Sequence, residues 1–451
     1  MSPGVPPSVG DATPRVAIRA ATDRWRDSVL AGVLFAVALW HVLGAVAATP
    51  FNRDEARWIH RASYLQALAD PLGPLWVEEG RYPGTSLDER FPLRGQPPLG
   101  GYLMGLGLLL QGRDLATNGF WNMDHDDAWN EAHGNMPAPE DLLAGRRTNA
   151  VVAALTVVTV FFLGCALTNW VGGLVAGLVL LVHPLLVATA SIAGSDPLLT
   201  LLVALAALAA YRLGERPTWG RAILLGVLLG LGGATKLSPL LLALPLAALG
   251  ALLLVQARWR KRPGSETASG RFGWQLVALP AVAFATFVAV YPYLWRAPLA
   301  HTADLFAFRA YSMELQAGIW PNAGVESRAE ALQRVGIKLG KDFSASGWVA
   351  GELGERFGAD WRAQSRGLDL ALALVGAEVL AFGVIRRGLG SGCGLAALLL
   401  GGEVAGTVLG MHADFARYHL PIALVIALCV GVVAGTIWAQ LRRGRAHSVP
   451  R

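Results

Sequence analysis

Charged residues are scarce in this chain. Only 16% of its 451 residues are Asp, Glu, Lys or Arg, whereas 54% are hydrophobic and the mean hydropathy is +0.44. A soluble domain of this length does not have such a composition. The composition therefore predicts an all-α, polytopic integral membrane protein and argues against a soluble globular domain.

Cysteine is also rare, since the chain has only Cys165, Cys393 and Cys429, each inside an apolar segment. This argues against a disulfide framework and favours small, buried side chains. Heptads, tandem repeats and glycine-rich phosphate loops are lacking too. The formal net charge of +6 does not indicate a nucleic-acid partner, because Lys and Arg of membrane proteins concentrate in cytoplasmic loops. We expect no binding of nucleic acid.

Long apolar windows, in contrast, are abundant and predict about ten membrane spans. They cover residues of about 28–49, 149–168, 171–191, 197–213, 220–235, 238–256, 275–295, 368–385, 394–411 and 419–440. With the N-terminal tail inside, the basic clusters Arg258–Arg262, Arg386-Arg387 and Arg442–Arg445 all fall on the cytoplasmic side. One further apolar stretch, Pro98–Leu110, is short and has four glycines. We interpret it as a re-entrant or interfacial helix.

The spans divide the chain into five parts. We predict a disordered cytoplasmic tail (1–27), a transmembrane module (28–295) with a first outer loop (50–148), a large extracytoplasmic loop (296–367), C-terminal transmembrane helices (368–441) and a cytoplasmic tail (442–451). The first apolar stretch is longer than the roughly 7–15 residues of a signal peptide, so we expect a retained anchor. The expected location is the plasma (inner) membrane, with an active site on the extracytoplasmic face.

The acidic pair Asp54-Glu55 directly follows the first span and is flanked by Arg53 and Arg57. A carboxylate held at the membrane surface beside cations is suited to proton abstraction next to an anionic, lipid-borne substrate. The simpler interpretation is a solvated acid pair that these arginines neutralise.

Several motifs occur in an order that resembles the GT-C superfamily, in particular its protein O-mannosyltransferase and lipid A aminoarabinose transferase branches. Those families are phospholipid carrier-dependent glycosyltransferases. The motifs are Arg53–Trp58, Gln96–Leu103, Gly145–Ala150, Ser195–Leu199, Ala234–Leu240, Tyr291–Arg296 and Arg417–Pro421. The resemblance implies a GT-C-type fold with about ten transmembrane helices and helical outer loops, and a polyprenyl-phosphate-linked sugar as donor.

The resemblance also implies roles for individual residues. Asp54 matches the catalytic base, and we expect Glu55 to orient the site or to pair with Arg57. The residues expected to bind substrate or its phosphate are Arg57, Arg146, Lys236, Arg417, Tyr418 and His419.

A dense acidic segment before Arg146 contains His125 and Asp126, which could hold a divalent cation through imidazole and carboxylate ligands. Most such segments are solvated loops. No other cofactor is expected. The segment is an insertion relative to the family pattern, so the acceptor stays open between a protein, a lipid and a glycan, as does the sugar.

The alternative function is a transporter or flippase of a lipid-linked sugar, and Glu403 inside the ninth apolar segment is the residue that fits it best. Transporters, however, usually have broken helices in two corresponding halves. The ionisable residues of this chain gather at one face, beside a large outer loop, and this favours an interfacial enzyme. A catalytically silent scaffold is the third possibility.

Overall fold

The computed structural model describes residues 14–76, 97–259 and 268–447, which contain helices and turns but no β-strand. Eight helices are long and apolar enough to cross a membrane, or nine if one bent pair is counted as a single span. The predicted all-α polytopic fold is confirmed.

The first half of the chain forms α1 (Pro14–Val46), α2 (Arg53–His60), α3 (Ser63–Ala67), α4 (Leu99–Leu110), α5 (Asp127–Ala132), α6 (Pro139–Leu167), α7 (Trp170–Leu181), α8 (Pro184–Ala190), α9 (Asp196–Glu215) and α10 (Trp219–Gly233). The second half forms α11 (Ser238–Leu241), α12 (Ala243–Trp259), α13 (Ala268–Val277), α14 (Leu279–Ala289), α15 (Pro298–Ile319), α16 (Arg328–Ile337), α17 (Ala345–Phe357), α18 (Arg362–Ser365), α19 (Leu368–Arg387), α20 (Gly392–Gly410) and α21 (Leu420–His447).

Small residues let the long helices approach each other closely. A Cβ atom at Gly431 of α21 would lie 2.4 Å from the carbonyl oxygen of Gly172 on α7, and one at Gly376 of α19 would lie 2.0 Å from the carbonyl oxygen of Cys429. Such backbone contacts are typical of helices that pack inside a bilayer. They make α21 the centre of the bundle, in contact with α7 and α19.

Helix α4 is the short apolar stretch of the first outer loop. Its 12 residues span about 18 Å, which is less than the roughly 30 Å of a bilayer core. Cβ atoms at Gly101 and Gly105 would lie 2.6 Å from the carbonyl oxygens of Arg61 and Ala62. The helix therefore packs directly against the backbone around α3, and it is too short to form a span by itself.

Two of the ten predicted spans are not regular transmembrane helices. The window 171–191 folds as α7 and α8, which meet at an angle of 58°. Pro184 starts α8, and the ring of His183 caps this helix by accepting a hydrogen bond from the Leu185 amide. A new helix therefore begins where one continuous helix was expected. The window 220–235 folds as α10, which has only 15 residues.

The bundle has two ends of different charge. Helix α9 runs from Asp196 at one end to Glu215 at the other, where Glu215 lies against Gly392 at the start of α20. Arg216, Arg386 and Arg387 lie at that second end, which we call the basic end. The cluster Arg260–Arg262 and residue Gln96 of the family motifs lie outside the described residues, as do both chain ends, 1–13 and 448–451.

The segment that follows α14 is joined to the turn before α21. The Val325 amide donates to the His412 carbonyl at 3.0 Å, and the Asp414 amide donates to the Ala323 carbonyl at 2.7 Å. These hydrogen bonds connect the segment 296–367 to the opposite end of the bundle from the basic end.

Candidate active site

Asp54 lies in the first turn of α2, whose start is fixed by a capping box. The side chain of Asn52 accepts a hydrogen bond from the Asp54 amide at 2.9 Å, and Glu55 accepts one from the Asn52 amide at 3.0 Å. Because both reciprocal bonds are made, the helix starts at Arg53 and the position of Asp54 is defined.

Asp54 forms an ion pair with Arg417, which lies 363 residues later in the 3-10 turn before α21. Both side chains remain partly exposed, at 32% for Asp54 and 29% for Arg417. The Arg417 guanidinium also lies over the ring of Tyr418, 5.6 Å from its centroid. The segment that follows α1 and the turn before α21 therefore meet at this pair.

A second ion pair adjoins the first. Nζ of Lys236, in the turn after α10, lies 2.5 Å from a carboxylate oxygen of Asp196 at the start of α9. The same ammonium lies 5.2 Å from the centroid of the Tyr418 ring, and Arg309 of α15 lies close enough to act electrostatically on the Tyr418 side chain. Three cations therefore lie near Tyr418, namely Lys236, Arg309 and Arg417.

Positive charge is in excess around Asp54. The cluster has the carboxylates Asp54 and Asp196 and the cations Arg57, Lys236, Arg309 and Arg417, a formal net charge of +2. Burial alone would raise the pKa of Asp54, but attraction to Arg417, Arg57 and Lys236 outweighs it and holds the pKa below its usual value. Asp54 is therefore ionised at neutral pH.

Arg57 is held beside Asp54 by the first outer loop. Its Nε donates to the Trp121 carbonyl at 3.3 Å, and its guanidinium lies 5.0 Å from the centroid of the Phe120 ring. Burial lowers the pKa of Arg57 to about 10, although the nearby Asp54 acts in the opposite direction. The side chain is still a cation at neutral pH.

Glu55 is fully buried and pairs with Arg146. The sequence had suggested Arg57 as a possible partner instead. Arg146 donates to the two Glu55 oxygens at 2.8 and 2.7 Å and to three backbone carbonyls, those of Val46, Thr49 and Pro50. All five guanidinium donors are used. In this arrangement Arg146 has no free donor for the phosphate that it was predicted to bind.

His419 is fully buried, and its Nε2 lies 2.6 Å from a carboxylate oxygen of Asp414. Its imidazole is therefore not presented at the surface where Arg417 and Tyr418 meet Asp54. The role in substrate binding predicted for His419 is not supported by these contacts.

The predicted cation ligands have other partners. His125 stacks on Trp129 with centroids 3.8 Å apart, and Asp126 caps α5 by accepting from the Trp129 amide at 2.8 Å. Asp127 pairs with Arg53 at 2.8 Å. Within residues 14–76, 97–259 and 268–447, no three His, Cys, Asp or Glu side chains are grouped so that they could hold a metal ion.

Residues 140–287 match the family model described as dolichyl-phosphate-mannose-protein mannosyltransferase. Among solved structures, the chain is similar to the oligosaccharyltransferase AglB from Archaeoglobus fulgidus in complex with an inhibitory peptide and a dolichol-phosphate, at 12% identity and a TM-score of 0.55. That match covers 95% of this chain and 52% of AglB. The same enzyme tethered to an acceptor peptide gives 12% identity, a TM-score of 0.52, and coverage of 93% and 51%. The fold is of the GT-C type.

The chain spans about half the length of the oligosaccharyltransferases that it matches. ArnT from Cupriavidus metallidurans bound to undecaprenyl phosphate also matches, with 14% identity over 93% of this chain and 80% of ArnT, but the TM-score of 0.36 is too low to support an argument. Comparison with curated protein sequences finds no match. The resemblance to GT-C proteins inferred from the motifs is confirmed.

Two residues of the candidate site were not among those predicted from the sequence. Asp196 lies in the Ser195–Leu199 motif, and its acidic side chain at a helix start was the available signal. Arg309 lies in no motif. The sequence contains no signal for it, because its position near Tyr418 depends on how α15 packs against a turn more than 100 residues away.

Proposed function

We propose that this protein is a membrane glycosyltransferase that transfers a sugar from a polyprenyl-phosphate-linked donor to an acceptor on the extracytoplasmic face. The observation that carries the proposal is the ionised carboxylate of Asp54 within a cluster of excess positive charge. The description of the matching family model and the dolichol-phosphate bound to AglB both support a lipid-phosphate donor.

Asp54 is the proposed general base. An acceptor hydroxyl oxygen attacks the anomeric carbon, and the new carbon–oxygen bond forms as the bond to the phosphate oxygen breaks. The electron pair of the broken bond stays on the phosphate, and the hydroxyl proton passes to the Asp54 carboxylate. Such a base typically contributes ~10²–10⁴-fold to the rate.

The cations provide for the leaving phosphate. Lys236 and Arg417 each have a carboxylate partner and partly exposed side chains, so an incoming phosphate can share their charge. Arg417 can bind it in bidentate fashion, whereas Lys236 acts as a point charge. When Arg417 also binds phosphate, its electrostatic attraction to the Asp54 carboxylate becomes weaker. Asp54 then becomes a stronger base.

We infer the membrane side from the arginines of the basic end. The basic end is proposed to be cytoplasmic, because Lys and Arg mark cytoplasmic loops. Asp54, Lys236 and Arg417 are then extracytoplasmic, and the segment 296–367 contributes Arg309 to the site. The proposed membrane is the plasma (inner) membrane.

The decisive experiment compares cells that contain the protein, lack it, or carry Asp54→Asn, with mass spectrometry of envelope glycans, lipids and proteins. We expect one sugar modification to be present only with the unaltered protein. Identical envelopes in all three strains would contradict the proposal.

A transporter or flippase of a lipid-linked sugar is the second candidate, because of Glu403 on α20. Its side chain is buried, and within the described part of the chain its Oε2 has no hydrogen-bond partner. Buried intramembrane carboxylates are typical of transport pathways. Reconstituted vesicles distinguish the two functions: movement of a polyprenyl-phosphate sugar across the bilayer, without transfer to any acceptor, would favour the transporter.

A further inference from the structure

Helix α15 turns an apolar face away from the rest of the protein. Its exposed positions recur every three or four residues, so they form one stripe along the helix. Apart from Glu314, this stripe carries no charge. It consists of Leu299, Ala300, Ala303, Ala307, Ala310, Tyr311, Glu314, Leu315, Gly318 and Ile319. The large members are well exposed, with Leu299 at 77%, Tyr311 at 59% and Ile319 at 56%.

The opposite face of α15 packs against the protein, where Leu305 is fully buried and several polar side chains have partners. Asp304 accepts a hydrogen bond from the Tyr293 hydroxyl at 3.2 Å, and Nδ1 of His301 lies 2.6 Å from the Tyr293 carbonyl oxygen. Arg309, half-buried, also lies off the exposed stripe and acts electrostatically on Tyr418. A helix surrounded by water has the reverse arrangement, with its apolar side inward. The outward face of α15 is thus built for an apolar environment.

The position of α15 in the chain indicates which environment this is. Eight residues separate the helix from the end of α14, which belongs to a candidate span, Gly270–Ala289. Trp295 lies in the connection, 43% exposed, and Trp320 follows the last residue of α15, 47% exposed. Tryptophan is enriched at membrane–water interfaces. Both ends of α15 therefore carry an interfacial residue, continuous with the membrane-embedded surface.

Another helix of the same segment has a different exposed face. On α17 three of the exposed residues, Glu352, Glu355 and Arg356, are charged, and they alternate with Leu353 and Phe357, so that face is mixed in polarity. The apolar stripe is thus a property of α15 and not of the whole segment 296–367.

We propose that α15 lies along the bilayer surface on the Asp54 side, with its apolar stripe at the boundary between headgroups and acyl chains. A helix of 22 residues would cover about 33 Å of that surface. Its polar face then holds Arg309 at the depth of the lipid phosphates. The segment 296–367 is not a water-borne loop over its whole length.

Spin labelling of the full-length protein in lipid nanodiscs tests this proposal. Single cysteines replace Ala303 and Ala307 on the stripe, and Gln333, exposed on α16, is the matched control, all in a background without the three native cysteines. We expect the ratio of collisions with oxygen to collisions with a water-soluble nickel chelate to be several-fold higher at both stripe positions than at Gln333.

Two results would overturn the proposal. The first is an oxygen-to-nickel ratio at Ala303 and Ala307 equal to that at Gln333, which would place the stripe in water. The second is spin–spin broadening at Ala307 that disappears on dilution with unlabelled protein, which would show that a second copy covers the stripe. Both measurements are independent of sugar transfer, so they separate this proposal from the proposed activity. Thermal unfolding of each labelled variant confirms that it is folded.

Discussion

At the level of single residues, the ionisation of Asp54 depends on three cations, two of which come from distant parts of the chain. Arg57 is its neighbour on α2, whereas Lys236 and Arg417 follow other helices. Their combined attraction exceeds the effect of burial, so the carboxylate is charged while partly desolvated. As the proposed base, Asp54 is thus deprotonated in the resting protein, and its low pKa favours release of the proton that it takes up in each turnover.

Replacing Asp54 by Asn removes the proton acceptor and keeps the size of the side chain. We expect the rate of sugar transfer to fall by ~10²-fold or more. Donor affinity should be retained, because the lost charge is negative like the donor phosphate. Asp127→Asn is the control, since Asp127 is an exposed partner of Arg53. Near-normal transfer by Asp54→Asn would remove Asp54 from the mechanism.

Replacing Lys236 by Ala should weaken the binding of undecaprenyl phosphate, because a charge is lost where ion pairs count for more than in water. Lys236→Arg should restore binding only in part, since the guanidinium is planar and larger. The control is Lys341→Ala, an exposed lysine in the segment 296–367. Equal affinities of the Lys236 and Lys341 variants, measured by titration calorimetry, would contradict this role.

Arg417 is predicted to set the pH dependence of transfer. In the native protein the pKa of Asp54 lies below its usual value of 3.8, so kcat/KM should lose activity through Asp54 only below about pH 4. In Arg417→Gln the effect of burial is less opposed, the pKa of Asp54 rises, and the acid limb moves to higher pH. Arg417→Lys, which keeps the charge, should move it less. Superimposable acid limbs for all three proteins would exclude this coupling.

At the level of helices, the pair of Glu55 and Arg146 connects α2 to the end of α1, to α6 and to the turn before α9. Glu55 also accepts a hydrogen bond from the Ala193 amide at 2.8 Å. Four segments therefore converge on one buried carboxylate. We propose that it positions Asp54, which is the preceding residue in the chain.

Glu55→Gln should destabilise the protein, because it leaves the Arg146 guanidinium buried without a counter-charge. Loss of one partner of a buried ion pair typically costs about 3–5 kcal/mol. The expected result is a clear fall in the Tm of Glu55→Gln in detergent. The matched control is Asp54→Asn, at the neighbouring residue, whose Tm should be unchanged. If the two variants had the same Tm, the proposed positioning role would be wrong.

The sequence predicted the helical fold and three central members of the site, Asp54, Lys236 and Arg417, because the motifs that contain them have a recognisable order. It did not show that the side chains of Asp54 and Glu55 have different surroundings. Adjacent residues on a helix point about 100° apart, so one meets Arg417 and the other is buried against Arg146. Which of two neighbours faces the core is decided by packing across the chain.

At the level of the whole molecule, the charge asymmetry between the two ends predicts how the protein sits in the membrane. Single cysteines at Glu131 and Gln333, both exposed, should react with an impermeant maleimide added to intact cells. A cysteine at Arg216, exposed at the basic end, should react only after permeabilisation. Labelling of Arg216 from outside, with protection of Gln333, would reverse the proposed orientation.

The Glu55–Arg146 pair also has a consequence for biosynthesis. Glu55 precedes Arg146 by 91 residues, so at ~5–20 residues per second it leaves the ribosome several seconds before its partner. During that interval α1 and α2 exist without the guanidinium that later binds the carbonyls of Val46, Thr49 and Pro50. A nascent chain that pauses before α6 therefore carries Asp54 in a segment that is not yet fixed, and the candidate site is complete only after Lys236 and Arg417, much later in the chain, have also been made.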